Sequence, residues 1–251
     1  LVENIILIDR CEDTAIITLN RPERLNAQTR ALQDKFNQAL IELENDKKAK
    51  VIIITGSGDK AFSAGADIYE MVEKPDEVQA RRKPLENWIY HLAVCKKPTI
   101  AAVNGLAYGG GALMASLADI RLGCERTSFK FMSASVGRVN STWSLPLIVG
   151  LPLAKELLFT GRVVEAEEAL RIGLVNRLFK SNDLMKGALE MAQSIAANNP
   201  EAVQGMKDIM TRGIGMSLQE MAVNESETVF NVLKVPPPQE SFKSFLERKI
   251  Q

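Results

Sequence analysis

The apolar run Thr99-Ile100-Ala101-Ala102-Val103 leads to three consecutive glycines, Gly109-Gly110-Gly111, and then to the small-residue stretch from Ala112 to Ala118. This order predicts a strand, a turn with no Cβ atoms in its way, and a helix whose first N–H groups are unpaired and face outward. Such a helix start favours negative charge, so it suits an anion or one that forms during a reaction. A second small-residue turn, Ala61-Phe62-Ser63-Ala64-Gly65-Ala66-Asp67-Ile68, follows the β-branched run Val51–Thr55. Two such turns, each after a strand, can aim main-chain N–H groups at one carbonyl oxygen. An oxyanion hole of that kind is worth roughly 3–4 kcal/mol of transition-state stabilisation per donor. Small residues also serve plain close packing of helix on strand, and spacing alone leaves both readings open.

Outward from these turns the first half alternates strands and helices. Ile5–Ile8 and Ala15–Leu19 predict a strand pair separated by Arg10–Asp13, and Leu32, Phe36, Leu40 and Leu43 follow helical spacing. Val51–Thr55 reads as a buried strand, followed by a turn over Gly56–Lys60 and a helix around Ile68–Val72. A charged helical stretch runs from about Asp76 to Val94, where Pro84 should break or kink it. Asp119–Gly123 and Thr127–Phe131 supply further strands, so the repetition predicts an α/β layered core. From Leu153 onward the apolar spacing is helical: Ala154–Phe159, Ala166–Ile172, Leu184–Ala197, Ala202–Arg212 and Leu218–Leu233. Pro236-Pro237-Pro238 and a final helix over Glu240–Lys249 follow. The late helices either pack on the core or form subunit contacts.

Composition narrows the function classes. The chain has 251 residues, 46% hydrophobic, with 31 basic and 31 acidic side chains, which gives ample length for a core. A formal net charge of zero argues against a general nucleic-acid or membrane-surface binder. Cys11, Cys95 and Cys124 lie far apart with no metal-ligand spacing, so they read as reduced thiols and no metal site is expected. No apolar run nears the roughly 20 residues that span a bilayer, and no basic-then-apolar leader is visible. A cytoplasmic protein is expected. The chain opens on Leu1, so the natural gene is expected to begin slightly upstream.

Five segments resemble the enoyl-CoA hydratase/isomerase (crotonase) superfamily, in order and over nearly the whole chain. They are Asn20-Arg21-Pro22-Glu23-Arg24-Leu25-Asn26-Ala27, the 61–68 turn, Lys97-Pro98-Thr99-Ile100-Ala101-Ala102-Val103-Asn104-Gly105, the triple glycine, and Thr160-Gly161 with Ala169 through Gly173-Leu174-Val175. The resemblance implies a ββα spiral core over residues 1–195 and a helical trimerisation region over 196–251, commonly in a trimer or dimer of trimers. It implies acyl-CoA thioester substrates, an enolate-type intermediate, and coenzyme A as part of the substrate with no separate cofactor. By position, Ala66 and Gly110 would be the oxyanion donors. Ala64, Asp67 and Ile68 would line the adenine and pantetheine path, and Arg24 would lie near the CoA phosphates. Phe245 and Arg248 fall where members use an aromatic residue and a lysine against CoA, often from a neighbouring subunit.

The chain also departs from that pattern. Hydratases of the family carry a glutamate three residues after the middle glycine, here Leu113, and a second at the position of Ser133. Hydration needs a base to activate water and an acid to protonate the α-carbon, and neither leucine nor serine supplies them. The run Gly137-Arg138-Val139-Asn140-Ser141-Thr142-Trp143-Ser144-Leu145-Pro146 resembles the isomerase-like branch. Its preceding loop is about three residues shorter, by the resemblance, with Asn140 and Ser141 where a carboxylate is expected.

Arg138, Asn140 and Ser141 are therefore the polar candidates, with Trp143 and Met132 as acyl-pocket walls. Glu70, Glu73, Tyr69 and Tyr108 flank the two turns, and His91 reads as structural. Three readings result. One is an acyl-CoA enzyme closer to an isomerase, decarboxylase or lyase than to a standard hydratase. Another is a non-catalytic acyl-CoA binder or scaffold that kept the fold. The third is ordinary hydratase activity that uses another residue, for which Glu70 is the candidate.

Overall fold

The computed structural model describes residues 4–74, 87–231, 233, 237–242 and 246. It divides into two compact units, 1–197 and 198–251. In the first, β1 (Ile6–Cys11) and β2 (Thr14–Leu19) form an antiparallel pair. Helix α1 (Arg30–Asn45) follows, with the Thr29 side chain accepting from the Leu32 N–H as its N-cap. Next come β3 (Val51–Gly56), β4 (Ala61–Ser63) and α2 (Ile68–Glu73), then α3 (Trp88–Val94). After them run β5 (Thr99–Val103), β6 (Leu106–Tyr108), α4 (Gly110–Leu117), β7 (Ile120–Cys124) and β8 (Ser128–Lys130). The unit ends with α5 (Leu145–Val149), α6 (Leu151–Thr160), β9 (Val163–Glu165), α7 (Ala166–Arg171), β10 (Arg177–Phe179) and α8 (Leu184–Ala196).

Among the described residues ten strands make two sheets, because each ββα repeat feeds both. The six-stranded sheet has the order β1-β2-β3-β5-β7-β10, and the four-stranded sheet β4-β6-β8-β9. Strand β3 gives its long segment to the first and β4 its short one to the second; β5 and β6, then β7 and β8, do the same. That successive addition is the expected ββα spiral. Every residue of β3 is buried, as a central parallel strand covered on both faces requires. Its side chains alternate between two cores. Ile52 and Ile54 join the core that holds Phe36, Leu40 and Trp88, while Val51 and Ile53 meet Leu184, Ala188 and Ala192 of α8.

Several expectations shift in detail. Residues 61–63 are a strand rather than part of a turn, and 106–108 form a strand that the sequence did not suggest. Of the charged stretch from Asp76 to Val94, residues 88–94 are helical with Asn87 as N-cap; Pro84 lies outside the described residues.

The second unit is helical. Helix α9 (Pro200–Arg212) starts with Asn199 accepting from the Ala202 N–H and with a proline in its first turn. Helix α10 (Leu218–Asn231) starts with a reciprocal box in which Ser217 and Glu220 each accept the other's main-chain N–H. A short α11 spans Pro238–Ser241, so it begins two residues before the expected start at Glu240, and Leu246 is helical as expected; the other residues of the expected final helix beyond Phe242 lie outside the described residues. Met206, Met210, Leu218 and Phe230 are exposed on this unit in the single chain.

Candidate active site

The site is built around Asn26. This residue is fully buried and sits at φ +54, a left-handed conformation that asparagine tolerates better than most. Its carboxamide donates to the carbonyls of Ser57 (3.0 Å) and Ala61 (2.9 Å) and accepts from the Arg21 N–H (2.9 Å). Its own carbonyl accepts from the Ser63 hydroxyl (2.8 Å), which in turn accepts from the Gly65 N–H (3.1 Å). The loop after β2 is thereby tied to the end of β4 and to the turn that carries Ala66.

Gln28 bridges the same turn in parallel register. Its N–H donates to the Gly65 carbonyl (2.7 Å) and its carbonyl accepts from the Asp67 N–H (3.1 Å). In an extended segment the groups of neighbouring residues alternate in direction. The Ala66 N–H therefore points away from Gln28. Across from it lies the start of α4: a Cβ placed on Gly65 would be 2.7 Å from the Gly110 nitrogen, and one on Gly110 would be 3.4 Å from the Ala66 nitrogen. No side chain caps α4 at Gly109, and among the described residues neither the Ala66 nor the Gly110 N–H has a hydrogen-bond partner. The structure thus brings the two expected donors side by side, both unpaired. At the far end of α4 the buried Arg121 guanidinium donates to the carbonyls of Ala118 (2.7 Å) and Leu174 (2.8 Å). Burial pulls the Arg121 pKa down to about 10.

The remaining candidates occupy three environments. Leu113, one turn into α4, is 4% exposed and belongs to the main core, and Ser133 is 8% exposed. Neither side chain titrates near neutrality. Ser141 is fully buried at φ +58, and its hydroxyl donates to the Asn140 side-chain oxygen (3.2 Å). Arg138 is exposed, Trp143 is 49% exposed, and Met132 and Asn140 are half-buried. On the outer side, Ile68 and Tyr69 of α2 are exposed, Ala64 is half-buried, and the Arg24 guanidinium stands 5.6 Å from the Tyr69 ring centroid.

Other candidates are committed to structure. Asp67 lies on the expected segment, but its carboxylate accepts from Arg21 (2.9 Å) and from the Tyr69 and Glu70 N–H groups that start α2. Glu70 accepts from the Arg30 N–H (2.7 Å) at the start of α1, and Glu73 is exposed. The Ser128 hydroxyl donates to the Tyr108 oxygen (3.4 Å). His91 joins α3 to α1 through Asn37 (2.9 Å) and Glu44 (3.3 Å), which fits a structural histidine. Phe245 and Arg248 lie outside the described residues. Sequence reading did not single out Gln28, nor the buried Ser144 hydroxyl, which has no partner among the described residues. No local motif marks Gln28, whereas Ser144 falls inside the 137–146 run.

The Asp67–Arg21 pair predicts an acid limb of stability. Burial alone would raise the Asp67 pKa, but the Arg21 hydrogen bond and the two N–H donors outweigh it and hold the carboxyl below its usual range. A lowered folded-state value means the pair's contribution is complete above about pH 4 and fades as pH falls through that lower value. Asp67→Asn should therefore unfold with a flatter pH dependence below about pH 4 than the parent protein. Equal slopes in a urea titration series would remove this pair as the anchor of the turn.

Among the described residues no helix is long and apolar enough to cross a membrane, and no group of three or more His, Cys, Asp or Glu side chains can hold a metal. The family model described as Enoyl-CoA hydratase/isomerase matches residues 10–251. A Short-chain-enoyl-CoA hydratase of Clostridium acetobutylicum is 34% identical, over 98% of this chain and 96% of its own. Among solved structures, Enoyl-CoA Hydratase from Bacillus anthracis superposes with a TM-score of 0.91 at 30% identity, covering 97% of this chain and 96% of that one. A monofunctional enoyl CoA isomerase from M. smegmatis superposes with a TM-score of 0.75 at 31% identity, covering 87% of this chain and 98% of that one.

Proposed function

The chain belongs to the enoyl-CoA hydratase/isomerase family, and from that premise we propose that it binds an acyl-CoA thioester and polarises its carbonyl between the Ala66 and Gly110 N–H groups. The observation that carries this reading is the pair of adjacent, unpaired main-chain donors at the two turns. Donors fixed by the fold stabilise an enolate oxygen without having to reorganise during the reaction. Arg24 then meets the CoA phosphates, and Ala64, Ile68 and the main chain at Asp67 flank the pantetheine. Trp143 and Met132 bound the acyl group. Phe245 and Arg248 serve the CoA of a neighbouring subunit in a homotrimer or dimer of trimers, in the cytoplasm. Coenzyme A enters with the substrate.

The reaction class follows from positions 113 and 133. A leucine and a serine there leave no pair to activate water and protonate an α-carbon, so isomerisation, decarboxylation or a lyase step fits better than hydration. Loss of a carboxylate from a malonyl-type thioester leaves the electron pair on the enolate, which the two donors stabilise directly. Asn140 and Ser141 are the polar groups proposed to orient the departing or migrating atoms.

Turnover of crotonyl-CoA, a Δ3-enoyl-CoA and a malonyl-type CoA checks this. Hydration of crotonyl-CoA is expected to be slower by about 10²-fold or more than in a two-glutamate relative, with turnover of one of the other esters. Hydration at the relative's rate would overturn the reaction class. Binding of all three esters with turnover of none would replace the enzyme by the acyl-CoA binder.

A further inference from the structure

Gln28 touches both halves of the donor pair. Its main chain brackets Ala66 through the Gly65 carbonyl and the Asp67 N–H. Its side chain, on a residue only 3% exposed, lies along the face of α4 formed by Gly110 and Met114, one helical turn apart. The carboxamide nitrogen faces the Met114 sulfur at 3.9 Å, and the carboxamide oxygen is 2.8 Å from where a Gly110 Cβ would stand. A thioether is a weak acceptor, and a glycine Cα–H is a weak donor. Neither contact is a strong hydrogen bond, and both lay the side chain against α4.

We infer that Gln28 is a positioning residue that sets the separation of the Ala66 and Gly110 N–H groups. The inference rests on the oxyanion reading proposed above. The main-chain bridge fixes Ala66 whatever the side chain, so truncation releases only the α4 half. With Gln28→Ala, the gap between the loop and Gly110 is free to close, and the Gly110 N–H drifts from its aim while Ala66 keeps its place. Gln28→Met fills nearly the same volume without an amide, so it should retain the spacing.

The direct readout is the carbonyl stretch of butyryl-CoA, isotopically labelled at its thioester carbon, bound to the full chain. Hydrogen bonds from the two donors shift that band to lower frequency. The parent and Gln28→Met are expected to show the full shift, whereas Gln28→Ala loses most of it and Gln28→Asn, one methylene shorter, loses part. Turnover of the accepted ester should fall by about 10²-fold in Gln28→Ala at unchanged CoA-ester affinity, since small misplacements of reacting groups have effects of that size. A purely structural role would lower the melting temperature but leave the band of the folded protein in place. A full shift in Gln28→Ala would overturn the inference; should that variant not fold, a full shift in Gln28→Asn would do so. No shift in the parent would instead defeat the oxyanion reading itself, and the two failures are thereby distinct.

Discussion

Gly65→Ala is expected to lower turnover of the acyl-CoA thioester by about 10²–10³-fold, the effect of losing one oxyanion donor. Gly65 sits at φ +90, which a side chain adopts only at a cost of about 1–3 kcal/mol. Strain is the smaller part of the effect. The added methyl would lie 2.6 Å from the Tyr108 carbonyl oxygen and 2.7 Å from the Gly110 nitrogen, and both are main-chain atoms. No rotamer change relieves such contacts, so β6 and the start of α4 must retreat together from the Ala66 turn. Retreat carries the Gly110 N–H away from the thioester oxygen. Gly215→Ala separates the two contributions, because Gly215 has nearly the same φ (+88) with nothing within 4 Å of its added methyl. That control should lose stability and keep its activity. Comparable activity loss in both variants, or activity within tenfold of the parent in Gly65→Ala, would contradict the placement of the donor pair.

How far the sequence revealed this arrangement depends on the length over which each signal acts. Val51–Thr55 was legible because burial on both faces demands an unbroken β-branched run. Strands β4 and β6 were not, since each spans three residues, too few to show alternation. The glycines at 109–111 announced a helix start with open N–H groups, and the structure has α4 beginning there. The partners of the polar side chains were out of reach. Asp67 meets Arg21 across 46 positions and Glu70 caps the main chain of Arg30 across 40. Local reading therefore leaves Glu70 open as a site group, while Asp67 enters only through the resemblance, on the CoA path. Gln28 is silent in the sequence for a related reason: nothing around it marks a bridge to Gly65 or a contact with Gly110. Tertiary pairing alone gives it meaning.

Introducing two carboxylates should convert the pocket toward hydration. The double variant Leu113→Glu with Ser133→Glu is expected to raise crotonyl-CoA hydration by about 10²-fold or more over the parent, the contribution typical of positioned acids and bases. Their surroundings decide the division of labour between them. Position 113 lies in the apolar core at 4% exposure, so a glutamate there will have its pKa raised and will hold its proton near neutrality, as a general acid should. Replacing the leucine also costs about 1–3 kcal/mol of stability, because a polar group enters a core that offers few partners. Position 133 is also buried, at 8% exposure, but it lies at the entry to the 134–136 turn rather than inside an apolar helix face, and a carboxylate there is the one expected to activate water. Each single variant should gain little, since one supplies the proton without the base and the other the base without the proton. A bell-shaped dependence of kcat/KM on pH, present in the double variant only, would identify the new pair at work. A folded double variant that polarises a bound thioester yet hydrates nothing would transfer the decision to the short loop 137–146, whose walls would then exclude the attacking water.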